Sequence, residues 1–185
     1  MLNQKKKKAY QRPFQPLRKY KKQKMLFWTH IAFSFLIAQY SIELLKIKNQ
    51  IAFTIIVLLS SIVPDIDESS SKISKNTLTR LIRILSPKHR GIWHTVYPII
   101  AITILLFITK QGLGLLKLIT IAFIIGYSSH LILDATTKKG VALLYPLSKK
   151  RVKGFIKVGG VTEKMLLAVL IIIIIYKLFH TTALN

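Results

Sequence analysis

The sequence predicts an all-α fold: a polytopic membrane bundle of about five helices, with a short basic helix lying at the interface. Of the 185 residues, 51% are hydrophobic, and the mean hydropathy is +0.44, which is high for a soluble globular domain. The apolar residues are also gathered into runs, several of which approach the roughly 20 residues that cross ~30 Å of hydrocarbon as a helix. A bilayer can therefore supply the burial that a soluble core would otherwise provide.

Four apolar runs are long enough to be helices that cross a membrane, at residues 25–45, 92–109, 113–133 and 165–179. Trp28, near the start of the first run, is typical of an aromatic anchor at headgroup level. The run 51–63 is shorter and is compatible with a tilted span or with a buried or re-entrant helix. Pro64 ends it, because proline cannot continue a helix.

A short amphipathic helix is predicted between the second and third runs, over residues 77–86. Its apolar side chains recur at helical spacing, and Arg80 and Arg83 lie on the other face. This pattern is typical of a helix in the membrane interface, with its basic side toward phosphate headgroups.

The basic residues are distributed unevenly along the chain. Lysine and arginine number 29 against six acidic residues, a net charge of +23. If all five helices cross, 24 of the 29 basic residues lie on the side of the N-terminus, which the positive-inside rule places in the cytoplasm. We therefore expect a multi-pass protein of the cell membrane, with residues 1–24 as a disordered polybasic cytoplasmic tail and residues 25–185 as one membrane-embedded helical domain.

The excess of positive charge also bears on partners. In a soluble protein it would suggest nucleic acid. Here we expect membrane lipids with anionic headgroups and no specific nucleic acid, and a tail that tethers nucleic acid is the weaker alternative. The oligomeric state stays open.

Histidine and aspartate side chains are predicted to meet at one rim of the bundle. Such groups are costly near hydrocarbon and call for a functional explanation. The chain has no cysteine, so a metal here would have nitrogen and oxygen ligands, which suit one or two divalent ions of Zn, Mn or Fe. The predicted ligands are Asp65, Asp67, His94, His130 and Asp134.

The spacing of these residues along the chain supports metal binding, but each pair also has an ordinary structural explanation. His130 and Asp134 are four apart and share a helix face, although a structural histidine beside an acid has the same spacing. Asp65 and Asp67 follow Pro64, where turn-forming aspartates are also common. With His30 and His89 added, these residues offer up to seven nitrogen and oxygen donors, and a two-metal site would use them all.

Two further histidines are the predicted catalytic residues. His30 and His89 would complete the ligand shell or transfer protons, since imidazole titrates in the right range. His89 and His94 are five apart, about 140° around a helix, so both can face one ion only if His89 precedes the helix. Lys88 and Arg90 are weaker candidates for binding a substrate phosphate.

At these residues the chain resembles a known family, the YdjM-like predicted membrane-bound metal-dependent hydrolases. The resemblance covers about residues 25–146, and the order of its motifs is more specific than any one of them. The motifs are Thr29-His30, Pro64-Asp65-Ile66-Asp67, His89-Arg90-Gly91 with His94-Thr95, and Ser129-His130 with Asp134 and a loop from Gly140 to Pro146.

The resemblance implies phosphoester hydrolysis, because the family is thought to be distantly similar to zinc-dependent phospholipases C and single-strand nucleases. Two positions depart from the family pattern. Glu68 stands where a histidine is usual, and Trp93 stands where threonine is frequent. These changes imply different hydrogen bonds around the ligands, and so a different metal or affinity.

The predicted function is that of a membrane-bound metal-dependent hydrolase, which cleaves a phosphoester of a lipid or lipid-linked substrate with a metal-bound hydroxide at the cytoplasmic rim. The alternative is a non-enzymatic membrane protein with a structural metal site, or a divalent-metal carrier. A carrier predicts ionisable groups near the bilayer midplane. A structural site predicts complete coordination by protein, whereas hydrolysis needs an open position.

Overall fold

A computed structural model describes residues 27–65, 92–108 and 114–183 of the chain. Within these ranges the protein forms five α-helices and no β-strand, which confirms the predicted all-α class. The tail 1–24 and the basic helix predicted at 77–86 lie outside the described residues. The helices are α1 (Phe27–Leu45), α2 (Gln50–Ile62), α3 (Tyr97–Ile108), α4 (Gly114–Ala135) and α5 (Val161–Ala183).

The helices alternate in direction, and α4 lies at the centre. It contacts α1, α2 and α3, while α1 also contacts α2 and α5. Two contacts show that α1 and α5 run parallel. The Thr29 hydroxyl lies 3.4 Å from a Glu163 carboxylate oxygen at one end, and Lys177 Nζ lies 2.6 Å from Glu43 Oε1 at the other.

The closest helix packing joins α2 to α4. A buried apolar cluster that includes Phe53, Val57 and Ala122 lies between them. Gly126 makes this approach possible, because a Cβ atom there would lie 2.1 Å from the Val57 carbonyl oxygen and 2.3 Å from Ser60 Oγ. Small residues at helix contacts are typical of membrane bundles, where close van der Waals packing replaces the hydrophobic effect as the driving force.

One helix in the described part of the chain, α4, is long and apolar enough to cross a membrane. The 13 residues of α2 rise only about 20 Å, less than the ~30 Å of the hydrocarbon layer. This length matches the short apolar run that left the second crossing ambiguous. The outer surface is nonetheless rich in exposed leucine and isoleucine side chains, among them Leu44, Leu59 and Ile172.

Two helices begin four or five residues away from the start of the apolar run that predicts them. The third run was predicted from residue 92, but Ile92–His94 is a short 3-10 helix and α3 begins at Tyr97. Pro98 accounts for this start, because proline fits the first helical turn, where its missing N–H is not needed. The last helix begins at Val161 instead of 165, so Glu163 lies in its first turn.

The α4–α5 loop, residues 136–160, is ordered by backbone hydrogen bonds. Val141 and Val152 form an antiparallel bridge, and Thr137 forms a parallel bridge with Ile156. Ile156 and Val158 are buried against Leu133 of α4. The loop therefore packs against the bundle at the end where α4 finishes and α5 begins.

Replacing Gly126 should destabilise the bundle through the α2–α4 contact. We expect Gly126→Ala to cost about 1–3 kcal/mol, because the added methyl group must displace the Val57 backbone. Gly114→Ala is the matched control, since a Cβ atom there meets no atom within 4 Å. The measurement is the thermal unfolding midpoint in detergent. Equal midpoints for the two variants would contradict this account of the packing.

Candidate metal centre

Five of the predicted site residues come together at one end of the bundle. The alternating helices bring them there: the first turn of α1, the 3-10 turn after α2, the 3-10 turn before α3, and the last two turns of α4 meet at this end. The side chains that these elements contribute are His30, Asp65, His94, His130 and Asp134.

Four of these side chains are buried, and the fifth lies at the surface of the cluster. His30, His94, His130 and Asp134 are almost completely enclosed, whereas the Asp65 side chain is 34% exposed. A buried carboxylate beside several imidazoles is expensive unless hydrogen bonds, protons or a metal ion compensate. The burial therefore indicates a site with a specific role, with Asp65 on its open side.

The Asp134 carboxylate faces three imidazole rings. Its Oδ1 lies 3.8 Å from His30 Nε2. Its Oδ2 lies 3.9 Å from His94 Nε2 and 4.0 Å from His130 Nε2. The two oxygens thus point toward different histidines, and one carboxylate links both halves of the cluster.

The Asp65 carboxylate approaches the same rings from the open side. Its Oδ1 lies 3.4 Å from His94 Nε2 and 3.9 Å from His130 Nε2. The His30 and His130 rings are stacked, with centroids 4.1 Å apart and planes inclined by 14°. The Nε2 atoms of His94 and His130 therefore point into a space between two carboxylates.

A backbone carbonyl fixes the orientation of His130. Its Nδ1 lies 2.7 Å from the carbonyl oxygen of Ser61, near the C-terminal end of α2. A carbonyl can only accept a hydrogen bond, so Nδ1 carries a hydrogen, and in the neutral ring Nε2 then keeps its lone pair. Metal-binding histidines are commonly held in this way. Within the described ranges, His130 Nε2 and both ring nitrogens of His94 have no hydrogen-bond partner.

These atoms fit a divalent metal ion. Two groups, His30 with His130 and Asp134, and Asp65 with His94 and His130, each offer three ligand atoms within 4.8 Å of one another. Ligands at 2.0–2.1 Å from a tetrahedral ion are separated by about 3.3 Å. The nitrogen–oxygen separations of 3.4–4.0 Å exceed that spacing by about 0.1–0.7 Å, a gap that small side-chain movements would close.

The remaining predicted site residues lie outside the part of the chain that the structure describes. They are the expected ligand Asp67, the expected catalytic His89, and the expected phosphate contacts Lys88 and Arg90. His94 lies ahead of α3 on its 3-10 turn, so the third helix begins after both His89 and His94.

Comparison with known proteins identifies the family. The model of the YdjM inner membrane protein family matches residues 25–184. The chain belongs to this family.

The chain is also similar to the uncharacterized protein YvsG of Bacillus subtilis strain 168. It is 33% identical over 128 residues, which are 66% of this chain and 77% of YvsG. No solved structure matches the chain. Membership of the YdjM family confirms the resemblance read from the histidine and aspartate motifs, and identifies a membrane protein.

Two residues that support the site were not predicted. Tyr127, three residues before His130, is fully buried, and its hydroxyl donates a hydrogen bond to the Trp93 carbonyl. This bond holds the 3-10 turn that carries His94 against α4. The only feature of the sequence that could have suggested this supporting role is the position of Tyr127 on the same helix as His130.

Glu163 is the second of these residues. In the sequence it lies apart from the acidic residues of the predicted site, so no role was assigned to it. Its side chain is fully buried, its Oε2 accepts a hydrogen bond of 2.5 Å from Gly159 N, and its Oε1 lies 3.4 Å from the Thr29 hydroxyl. It therefore ties the start of α5 to the turn of α1 that carries His30. An acid in a first helical turn after two glycines is the signal that could have indicated it.

Glu163→Ala should destabilise the protein by about 1–3 kcal/mol, because the buried carboxylate that accepts the hydrogen bond from Gly159 N is lost. Glu43→Ala is the matched control. It also removes a link between α1 and α5, but one that is more exposed and pairs with Lys177, so it should cost less than about 1 kcal/mol. Unfolding midpoints in detergent measure both. A larger loss for Glu43→Ala would overturn the structural role of Glu163.

Proposed function

We propose that this YdjM-family protein is a metal-dependent hydrolase of the cell membrane, acting on a phosphoester of a lipid or lipid-linked substrate. The observation that carries the proposal is the orientation of His130. Its Nδ1 is committed to the Ser61 carbonyl, and its Nε2 is turned toward two carboxylates. This arrangement supports metal binding over a purely structural histidine, which would use both nitrogens for hydrogen bonds.

The ligands that we assign to one ion are His94, His130, Asp134 and Asp65. Because His130 offers only Nε2, the two possible metal groups share one ligand atom and compete for it. The described residues therefore support one ion better than two. A second ion would need Asp67 or His89 as well. The imidazole and carboxylate set suits Zn, Mn or Fe, and we favour zinc for its preference for nitrogen with few ligands.

The chemistry follows from the ligand set. When bound, a divalent metal lowers the pKa of a coordinated water toward neutrality and polarises a phosphoryl oxygen. Asp65, which is partly exposed, borders the side from which water and substrate would enter. His30, whose Nε2 lies 3.8 Å from Asp134 Oδ1, would take up or return a proton. His89 would share this role, and Lys88 and Arg90 would contact the substrate phosphate.

The membrane topology that we propose is multi-pass with a cytoplasmic N-terminus. The family's inner-membrane description, the alternating helices and the apolar outer surface support the multi-pass part. The uneven distribution of basic residues along the chain supports the cytoplasmic N-terminus. Trp28 is exposed at the end of α1 that carries His30, as expected for an aromatic residue at headgroup level. This topology puts the site at the membrane rim, where lipid phosphoesters lie, and the rim position argues against a carrier.

Metal binding should depend on His130. We expect the wild-type protein to bind Zn²⁺ or Mn²⁺ and to gain thermal stability from it, because a ligand that binds the folded state stabilises that state. His130→Ala should weaken binding by more than about 100-fold, since even residues behind a ligand contribute 10–100-fold.

The matched control is His180→Ala, an exposed histidine of α5 at the opposite end of the bundle. It should bind metal as the wild type does. Metal content after dialysis, and the unfolding midpoint with and without chelator, measure the effect. Equal metal content in the two variants would eliminate the site, and an unfolding midpoint for metal-free His130→Ala near the wild-type value excludes misfolding as the cause.

Turnover should require the Asp134 carboxylate. The metal-loaded protein should hydrolyse phosphodiester or phosphomonoester substrates in lipid nanodiscs, and Asp134→Asn should lower the rate at least about 100-fold. The readout is release of phosphate or headgroup. Tight metal binding without turnover of any phosphoester would replace the hydrolase by the structural metal site, and metal flux into vesicles would replace it by the carrier.

A further inference from the structure

The outer face of the α4–α5 loop carries concentrated positive charge. No acidic residue lies between Asp134 and Glu163, and both of these flanking acids are buried. The basic side chains of the loop are all exposed: Lys138, Lys139, Lys149, Lys150, Arg151, Lys153 and Lys157. Like charges on one surface repel each other, so the cluster does not serve stability and indicates an anionic partner.

Large apolar side chains stand among these cations. Leu147 is 84% exposed and Phe155 is 77% exposed. The backbone around Phe155 alternates: Phe155 and Lys157 are exposed, while Ile156 and Val158 are buried against the bundle. The burial of Ile156 and Val158 therefore fixes Phe155 on the outer face, because successive side chains of an extended chain point in opposite directions.

This face is preformed by the fold. Val141 and Val152 exchange backbone hydrogen bonds of 3.0 and 2.9 Å, and Ile156 N donates to the Thr136 carbonyl at 3.0 Å. The loop also touches both flanks of the metal centre. The Thr137 hydroxyl donates to the Asp134 carbonyl at 2.7 Å, and Val96 N, two residues after His94, donates to the Leu143 carbonyl at 3.0 Å.

We propose that the outer face of the α4–α5 loop docks on an anionic phospholipid leaflet, with Leu147 and Phe155 in the acyl boundary and the lysines at the phosphates. A loop that exposes both apolar and cationic side chains matches this interface. A nucleic acid would match the charge but would leave the aliphatic Leu147 without a partner. This proposal rests on the proposed membrane topology. If the loop docks in this way, anionic phospholipids are the lipid class that is concentrated beside the metal centre.

Depth measurements test the insertion. The chain has no cysteine, so single-cysteine variants can be spin-labelled at chosen positions. We expect labels on Leu147→Cys and Phe155→Cys, in nanodiscs of phosphatidylcholine and phosphatidylglycerol, to be accessible to oxygen and shielded from a water-soluble nickel chelate. Lys150→Cys should show the reverse. Labels at 147 and 155 as accessible to nickel as the label at 150 would overturn the proposal.

Lipid selectivity tests the charge. In the same bilayers, the wild type should associate preferentially with spin-labelled phosphatidylglycerol over phosphatidylcholine. Replacing Lys149, Lys150 and Lys153 together by glutamine should reduce that preference at least about fivefold, and high salt should reduce it in the wild type. The matched control replaces three exposed lysines at the opposite end of the bundle, Lys46, Lys48 and Lys117, and should leave it unchanged.

The outcomes separate this proposal from the metal centre. Both measurements are made on metal-free protein, so failure of the metal-binding experiment does not change them. Equal selectivity in the two triple variants would overturn lipid docking. A second outcome would also overturn it: the wild type binds a random oligonucleotide, and the loop variant loses this binding but keeps its lipid selectivity. The loop would then be a nucleic-acid surface.

Discussion

The hydrogen bond between His130 Nδ1 and the Ser61 carbonyl is the contact on which the proposed site depends. Ser61 lies in the last turn of α2, where the helix gives way to the 3-10 turn Val63–Asp65. The last four carbonyls of a helix have no partner within it and accept hydrogen bonds from elsewhere. The end of α2 at Ile62, just before Pro64, therefore does two things. It leaves a carbonyl for His130, and it turns the chain so that Asp65 faces the same ring.

The position of α4 determines how closely these groups meet. Gly126 and His130 are four residues apart and lie on the same face of α4, toward α2. Gly126 lets the helices approach at Val57, and one turn further on His130 reaches the carbonyl of Ser61. Another face of α4 carries Tyr127, which holds the turn of His94 through the Trp93 carbonyl. One helix thus sets the positions of the candidate ligands in the turn after α2, in α4 itself and in the turn before α3.

Most of the fold could be predicted from the sequence, because apolar runs and prolines mark the helices directly. The convergence of five site residues could be predicted as well, because helices that alternate in direction bring every second helix end back to the same side. The supporting contacts could not. Ser61 acts through its backbone carbonyl, which carries no residue-type signal, and the burial of Glu163 depends on how α5 packs against α1. The start of α3 was missed because the apolar run continues through the 3-10 turn.

The distribution of charge explains how a chain of net charge +23 could hold a divalent cation. Around the α4–α5 loop, Asp134 and Glu163 are buried and every basic side chain is exposed. Exposed charges are screened by salt over about 8–10 Å, whereas buried carboxylates act at close range in a medium of lower dielectric. An ion between the buried Asp134 and the partly exposed Asp65 would therefore respond mainly to these two nearby carboxylates, and most strongly to Asp134. The lysines of the loop would act on anions outside the bundle. The metal centre and the outer face of the loop can therefore attract ions of opposite charge without cancelling each other.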